Sequence, residues 1–209
     1  MYARWGKRIF DLLSAMALAV VTAPVHVLCA AGVRLTSGKP VYFTQERAGR
    51  NGQPFRLIKF RTMAVGTHER TGGYPAAGTV TPIGRVLRKT SLDELPQLMN
   101  IVKGDMSVVG PRPALVEQAR RYSESQRGRL SVRPGLTGLA QIRFRNSAPW
   151  SVRIQSDLEY VGSVSFWGDM LIVLKTIPSV LRGDGMIIGQ STADVDDLGP
   201  SVVEPSIDD

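Results

Sequence analysis

Residues 12–33 run for 22 positions without a Lys, Arg, Asp or Glu. At about 1.5 Å per residue, a helix of that length covers the roughly 30 Å of a bilayer's hydrocarbon core, so length alone predicts a membrane span. Two features pull the other way. Pro24 stands near the middle, where proline removes a helix hydrogen bond and bends the chain. Bases flank both ends, with Arg4, Lys7 and Arg8 before the run and Arg34 and Lys39 after it, whereas a span favours bases on one side. A helix that enters the membrane, breaks at Pro24 and returns to its own face puts both basic clusters at one headgroup layer. Because proline is tolerated in spanning helices, span and re-entry both stay open on these residues. A cleaved signal peptide fits less well. The run exceeds an h-region of about 7 to 15 residues, and Leu28, directly before Cys29, is not the small residue that a lipoprotein cleavage site wants.

The charge of the chain is divided. Its 26 Lys and Arg exceed 18 Asp and Glu by eight. Six of the acids (Asp194, Asp196, Asp197, Glu204, Asp208 and Asp209) lie in the last 19 residues, which hold no base. Residues 1–190 therefore set 26 bases against twelve acids, a net +14. Such a field favours polyanions: nucleic acid, anionic lipid headgroups or phosphorylated small molecules. The acidic stretch 191–209 reads as a disordered tail. One cysteine, Cys29, excludes an intramolecular disulfide, and with only His26 and His68 beside it a Cys/His zinc site is disfavoured. At 209 residues the chain has room for one domain and an appendage.

After the apolar run, residues 39–63 read as two strands joined by a turn: Val41, Tyr42 and Phe43, then Gly49, Asn51 and Gly52, then Phe55, Leu57, Ile58 and Phe60. Residues 64–82, rich in Gly, Thr and Ala without periodicity, read as a loop that orders around a ligand. A helix is predicted over 91–102, with Leu92, Leu95, Leu98, Met99 and Val102 on one side and Gly104 at its end. Val108, Val109 and Gly110-Pro111-Arg112-Pro113 read as a short strand and turn, 114–129 as an exposed helix, and 133–138 as a rigid loop. Between Phe166 and Leu181 the apolar residues fall on a helical stripe. The stripe suits either a core or an interfacial helix lying on headgroups, where Trp5, Trp150 and Trp167 add belt contacts. The sum is a mixed, helix-rich α/β fold with short strands.

The densest chemistry lies in Arg88-Lys89-Thr90-Ser91-Leu92-Asp93-Glu94-Leu95-Pro96-Gln97. Adjacent carboxylates can supply a nucleophile and a ligand for a hard cation, while the base before them holds a phosphate. The same residues also spell a capping box. Ser91 and Glu94 would satisfy the first backbone donors of a helix, and Asp93 would complement its dipole. Pro96, inside that first turn, predicts that the helix start is not simple.

Four segments in order carry a family resemblance: Lys59-Phe60-Arg61-Thr62-Met63, Ser91-Leu92-Asp93-Glu94-Leu95-Pro96-Gln97, Gly104-Asp105-Met106-Ser107-Val108-Val109-Gly110-Pro111-Arg112-Pro113 and Arg133-Pro134-Gly135-Leu136-Thr137-Gly138. With Lys7-Arg8-Ile9-Phe10-Asp11 and Phe43-Thr44-Gln45-Glu46-Arg47-Ala48-Gly49 before them, the chain from about Arg4 to Gly189 closely resembles the bacterial sugar transferase family. These are the monotopic polyprenyl-phosphate phosphoglycosyl transferases of glycoconjugate and exopolysaccharide assembly. The resemblance implies transfer of a phosphosugar from a UDP-sugar to a polyprenyl phosphate such as undecaprenyl phosphate, with release of UMP. It implies that Asp93 attacks the sugar-bearing phosphorus to give a covalent intermediate, and that Glu94 holds Mg²⁺. It assigns Lys59, Arg88, Arg112, Gln141 and Arg145 to phosphate or nucleotide, and it places Asp157 and Asp169 either at the ligand or in supporting salt bridges. The Pro134-Gly135-Leu136-Thr137-Gly138 loop either offers backbone donors to phosphate or simply makes a turn.

For the membrane segment the resemblance favours re-entry from the cytosolic face of the bacterial inner membrane, with anionic lipids at the basic flanks. Here the chain departs from the family, since Ala23-Pro24 stands in place of a Ser-Pro pair and loses a hydroxyl at the bend; His26 is an alternative polar partner. The expected organisation is a re-entrant anchor over 1–34, a catalytic domain over 35–190 and the tail over 191–209, in the family's small form. A homo-oligomer is compatible with this reading. The rival classes are a membrane-tethered nucleic-acid-binding protein, suggested by the +14 body but lacking any helix-turn-helix, RNP or zinc pattern, and a non-catalytic membrane scaffold.

Overall fold

The uncharged run lies within a single helix, α1 (Lys7–Ser37). A computed structural model describes residues 2–67, 78–144, 148–181 and 195–199. Among these residues α1 is the one helix long and apolar enough to cross a membrane. The expected break at Pro24 does not interrupt the element: α1 is continuous, with Pro24 inside it. Next to Ala23, the Thr22 hydroxyl donates to the Leu18 carbonyl at 2.7 Å, so a hydroxyl one residue earlier bonds the backbone near the proline. His26 meets the Tyr42 hydroxyl at 2.9 Å and lies against the Phe60 ring.

Both ends of α1 are fastened to the same body. Near the start, Asp11 and Ala15 are fully buried, and near the end Cys29 and Val33 join Phe60 and Leu87 in a core cluster. Between them Val20, Val21, Val27 and Leu28 stand more than 60% exposed. Arg8 donates to the carbonyls of Ile101 and Val102 at 2.6 and 3.0 Å. Arg61 donates to those of Lys39 and Gly38 at 2.9 and 3.0 Å, and to that of Ser37. Lys7 pairs with Asp11 at 3.3 Å and Asp169 at 2.9 Å. Lys7 and Arg8, expected at lipid headgroups, are thus engaged inside the protein.

Strands β1 (Tyr42–Ala48) and β2 (Pro54–Phe60) form the expected hairpin, antiparallel, with Phe43 opposite Lys59. Its turn passes through left-handed Asn51 and Gly52. Met63 bridges to Val80, and residues 68–77 of the expected loop lie outside the described residues. Helix α2 (Pro82–Lys89), unforeseen in the sequence, starts with Pro82 directly after Thr81, whose side chain accepts from the Gly84 amide at 3.0 Å. That threonine-proline pair is a recognisable helix start.

The helix expected over 91–102 begins late. Ser91 sits in the left-handed region at φ 57° and makes no capping bond, a 3₁₀ turn covers Leu92–Glu94, and α3 (Gln97–Lys103) starts after Pro96. The late start shifts the helical phase, so Asn100 and Ile101 are buried while Met99 and Val102 are exposed. Left-handed Gly104 ends the helix as expected.

Parallel strands β3 (Ser107–Val109) and β4 (Gly135–Thr137) pair within the next layer. The expected helix over 114–129 is two short ones, α4 (Val116–Arg120) and α5 (Glu124–Arg127), because buried Tyr122 turns inward between them and Ser123 with Gln126 forms a true capping box. The glycines around β4 serve packing: Gly135 donates to the Pro111 carbonyl, and a Cβ on Gly135 or Gly138 would lie 2.1 or 2.2 Å from Gly110 backbone atoms. The Gly135 amide is therefore spent on backbone.

Helices α6 (Leu139–Phe144), α7 (Trp150–Gly162) and α8 (Phe166–Leu181) complete the fold. On α8, Asp169 and Ile172 are buried, whereas Trp167, Leu171, Leu174 and Ile177 are each more than half exposed. Trp5 is exposed as well, but Trp150 is a core residue rather than a belt contact. Of the tail, residues 195–199 are described. Val195 and Leu198 pack with Tyr122, Trp150 and Ile154, because this short stretch carries two apolar side chains that fill a core cluster.

Candidate active site

Lys59-Phe60-Arg61-Thr62-Met63 divides its tasks by position. At the end of β2, Phe60 faces the core, Lys59 points to the opposite side, and the chain then leaves the sheet. Arg61 turns back to the end of α1, while the Thr62 hydroxyl accepts from Arg88 Nε at 2.8 Å. Arg88 also contacts Met63 Sδ at 3.3 Å. Thr62 thereby orients the guanidinium that α2 delivers.

The 3₁₀ turn after α2 presents Asp93 and Glu94 to these bases. Glu94 Oε1 accepts from Lys59 Nζ at 2.7 Å and from Arg112 at 3.1 Å. Glu94 therefore reaches across to two cations instead of back to the Ser91 amide, and the capping box read from the sequence does not form. Arg112 comes from the turn after β3, flanked by Pro111 and Pro113. Its backbone carbonyl accepts from Arg129 at 3.0 Å, and Arg129 in turn pairs with buried Asp157 at 2.5 Å and with the Tyr122 hydroxyl.

The two adjacent acids are pushed in opposite directions. Burial raises the Asp93 carboxyl to about 6; Lys59 pulls against it, Glu94 adds to it, and Arg88 and Arg112 oppose it. Burial alone would raise Glu94 too, but Lys59 and Arg112 outweigh it and hold that carboxyl well below its ordinary range. Burial also pushes the Lys59 ammonium down, against the pull of Glu94. Asp93 enters none of the ion pairs among the described residues. Paired carboxylates with separated proton affinities divide chemical roles between them.

A cavity of about 880 Å³ opens on this cluster. Its charged and polar lining includes Lys59, Arg88, Arg112, Gln141, Arg129, Arg153 and Asp157, and its apolar lining includes Leu18 of α1 and Val173, Ile177 and Val180 of α8. One chamber thus joins a charged floor to the apolar surfaces of α1 and α8. Of the sequence candidates, the structure brings together Lys59, Arg88, Asp93, Glu94 and Arg112, and Gln141 and Asp157 line the same cavity. Asp169 stands apart, bonded to Lys7, Tyr2 and Tyr160 beneath α8, and Arg145 lies outside the described residues. Sequence reasoning missed Arg129 and Arg153. Arg129 follows Gly128 in a segment read as an exposed helix, and no local signal marks it as buried.

A carboxylate pair clamped by bases at a cavity lined by both charged and apolar side chains suits a phosphorylated substrate, and the one membrane-length helix is compatible with membrane association. Residues 2–183 match the bacterial sugar transferase family. The chain belongs to that family and is a phosphoglycosyl transferase. It is 43% identical over 180 residues to an uncharacterised sugar transferase of Bacillus subtilis, covering 86% of this chain and 89% of that one. It is 41% identical over 192 residues to the UDP-glucose:undecaprenyl-phosphate glucose-1-phosphate transferase of Caulobacter vibrioides, covering 85% and 70%. With the undecaprenyl-phosphate galactose phosphotransferase of Salmonella typhimurium it shares 36% over 200 residues, 88% of this chain and 42% of the longer relative. Family membership displaces both the nucleic-acid-binding and the scaffold alternatives.

Proposed function

We propose that this enzyme transfers a sugar 1-phosphate from a UDP-sugar to undecaprenyl phosphate or a similar polyprenyl phosphate, giving the lipid diphosphate sugar and UMP, in exopolysaccharide or glycoconjugate assembly. The observation that carries the reading is the pairing of Asp93, buried and outside any ion pair among the described residues, with Glu94 clamped by Lys59 and Arg112 at the floor of the amphipathic cavity. An Asp93 oxygen attacks the sugar-bearing phosphorus. The bond from that phosphorus to the bridging oxygen breaks, and UMP leaves with the oxygen and its electron pair. A phosphate oxygen of the lipid then attacks the same phosphorus, and the Asp93 carboxylate departs unchanged. Repulsion between anions is the obstacle in both displacements, and Lys59, Arg88 and Arg112 lower it by fixed positive charge.

Mg²⁺ suits the donor set, since a hard cation commonly takes one or two protein carboxylates and completes its shell from phosphate and water. Glu94 would hold it, with Asp93 adjacent. Among the described residues no cluster of three or more His, Cys, Asp or Glu gathers. When bound, Mg²⁺ neutralises the diphosphate and the departing monophosphate.

Re-entry of α1 is supported by its attachments. To cross a bilayer, α1 would have to carry either Arg8 and buried Asp11, or Val33 and the Arg61-bonded carbonyls of Ser37, Gly38 and Lys39, away from the body that engages both. The reading therefore places the body on the cytosolic face of the bacterial inner membrane, with the exposed middle of α1 and the apolar face of α8 in one leaflet. Incubating the enzyme in membranes with a panel of UDP-sugars, Mg²⁺ and undecaprenyl phosphate tests the reaction: UMP release with at least one sugar, and a trapped phosphosugar on wild type but not on Asp93→Asn, are expected. Absence of UMP release across the panel would reject it.

A further inference from the structure

Residues 195–199 lie beyond the stretch that matches the family, residues 2–183, yet they make contacts that the cavity wall depends on. Helix α7 begins after Pro149, which has no side-chain acceptor for the helix's first amides and makes no capping bond. Two of those amides are met by the tail: Trp150 N donates to the Val195 carbonyl and Ser151 N to Asp197 Oδ1, each at 3.0 Å. The Ser151 hydroxyl bonds the other Asp197 oxygen. The segment is itself pinned. Arg121 grips both oxygens of Asp196 at 2.6 and 2.9 Å and donates to the Gly199 carbonyl at 2.8 Å, a forked geometry among the stronger ion-pair arrangements. Beneath it Val195 and Leu198 cover Tyr122, Trp150 and Ile154.

The same helix also lines the cavity. Trp150, Arg153, Ile154 and Asp157 all line the cavity, and Asp157 holds Arg129, which Tyr122 also bonds. Trp150, Arg153 and Asp157, with Arg129, give this part of the lining aromatic and charged side chains, a chemistry that suits a nucleoside diphosphate. We propose that residues 195–199 are a strap supplying the missing cap of α7 and closing the core behind it, with Asp197 as a positioning residue for the wall that binds the donor nucleotide. The assignment of that wall to the donor rests on the transferase reading above. Asp93 and Glu94 sit on a separate element, the turn after α2, so loss of the strap weakens donor binding more than chemistry.

The test uses the full chain in lipid nanodiscs, with Asp197→Ala, Asp197→Asn and Leu198→Asp variants. Asp197 is surface-exposed, so its variants keep the core intact. In Asp197→Ala the KM for UDP-sugar is expected to rise about fivefold with kcat within about twofold, whereas Asp197→Asn stays near wild type because asparagine caps as well as aspartate. Hydrogen exchange at the amides of Ser151 and Val152 accelerates in Asp197→Ala and not in Asp197→Asn. Leu198→Asp reproduces or exceeds the alanine effect. An active wild type in which neither KM nor exchange moves in Asp197→Ala overturns the strap. Absence of UMP release from wild type instead rejects the transferase reading, and the exchange rates then still decide whether the strap caps α7.

Discussion

At the scale of single residues the site rests on an inequality between two neighbouring carboxyls. In the proposed reaction the Asp93 anion is the attacking group, and its environment raises this carboxyl to about 6. A raised carboxylate affinity means that the reactive anion is present at neutral pH and is lost as pH falls through that value, so kcat/KM is expected to drop about tenfold per unit on the acid side of 6. The position of this limb depends on Lys59, which pulls Asp93 down. Lys59→Ala removes that pull and one of the two clamps on Glu94. Its kcat is expected to fall by about 10² to 10³, and its acid limb should move to higher pH. A steady-state pH profile of both enzymes checks this: an unmoved limb in Lys59→Ala would separate Lys59 from the ionisation of Asp93. Asp93→Asn should release no UMP and trap no phosphosugar, whatever the pH.

At the scale of elements, what could be read in advance depended on whether the cause was local. The hairpin was legible because Gly49, Asn51 and Gly52 sit between two apolar runs, and the end of α3 because Gly104 is the residue that tolerates a left-handed cap. The capping box at Ser91 was misread because its letters compete with a long-range partner. Lys59, 35 residues away, draws Glu94 across the site, and no window around Ser91 contains that fact. Asn100 went unnoticed for the same reason. Fully buried on α3, it accepts from the Ile58 amide at 3.1 Å and donates to the Arg56 carbonyl at 2.7 Å, so it joins α3 to the non-ladder side of β2. Asn100→Ala leaves two backbone groups of β2 buried without these partners. Each costs about 1 to 3 kcal/mol, so a clear fall in unfolding midpoint is expected from thermal denaturation in detergent. Arg88, Asp93 and Glu94 were legible in one local motif, but Lys59 and Arg112 joined them only through the family resemblance; composition and periodicity alone would have left Arg112 among the many bases of a +14 body.

At the scale of the whole molecule, the carboxylate-and-base cluster and the apolar helix α1 are one mechanical unit. The side chain of Asp11 accepts from the Ser107 hydroxyl at 2.9 Å and the Val108 amide at 3.0 Å, tying the first turns of α1 to β3, the strand that leads into Arg112. Arg61, two residues after Lys59, fastens the other end of α1. If both attachments persist in the membrane, the two ends of α1 lie on the same face, and the more than 60% exposed Val20, Val21, Val27 and Leu28 mark the part that enters lipid. Single cysteines at Ala3→Cys and Lys39→Cys, both at exposed positions and in a Cys29→Ala background, are therefore expected to react with an impermeant maleimide only when it reaches the cytosolic face. Labelling of the two from opposite faces would mean that α1 spans. The buried contacts of Asp11 with β3 and of Val33 with Phe60 and Leu87 could then not coexist, and the proposed approach of a polyprenyl phosphate to the cavity past Leu18 would fail with them.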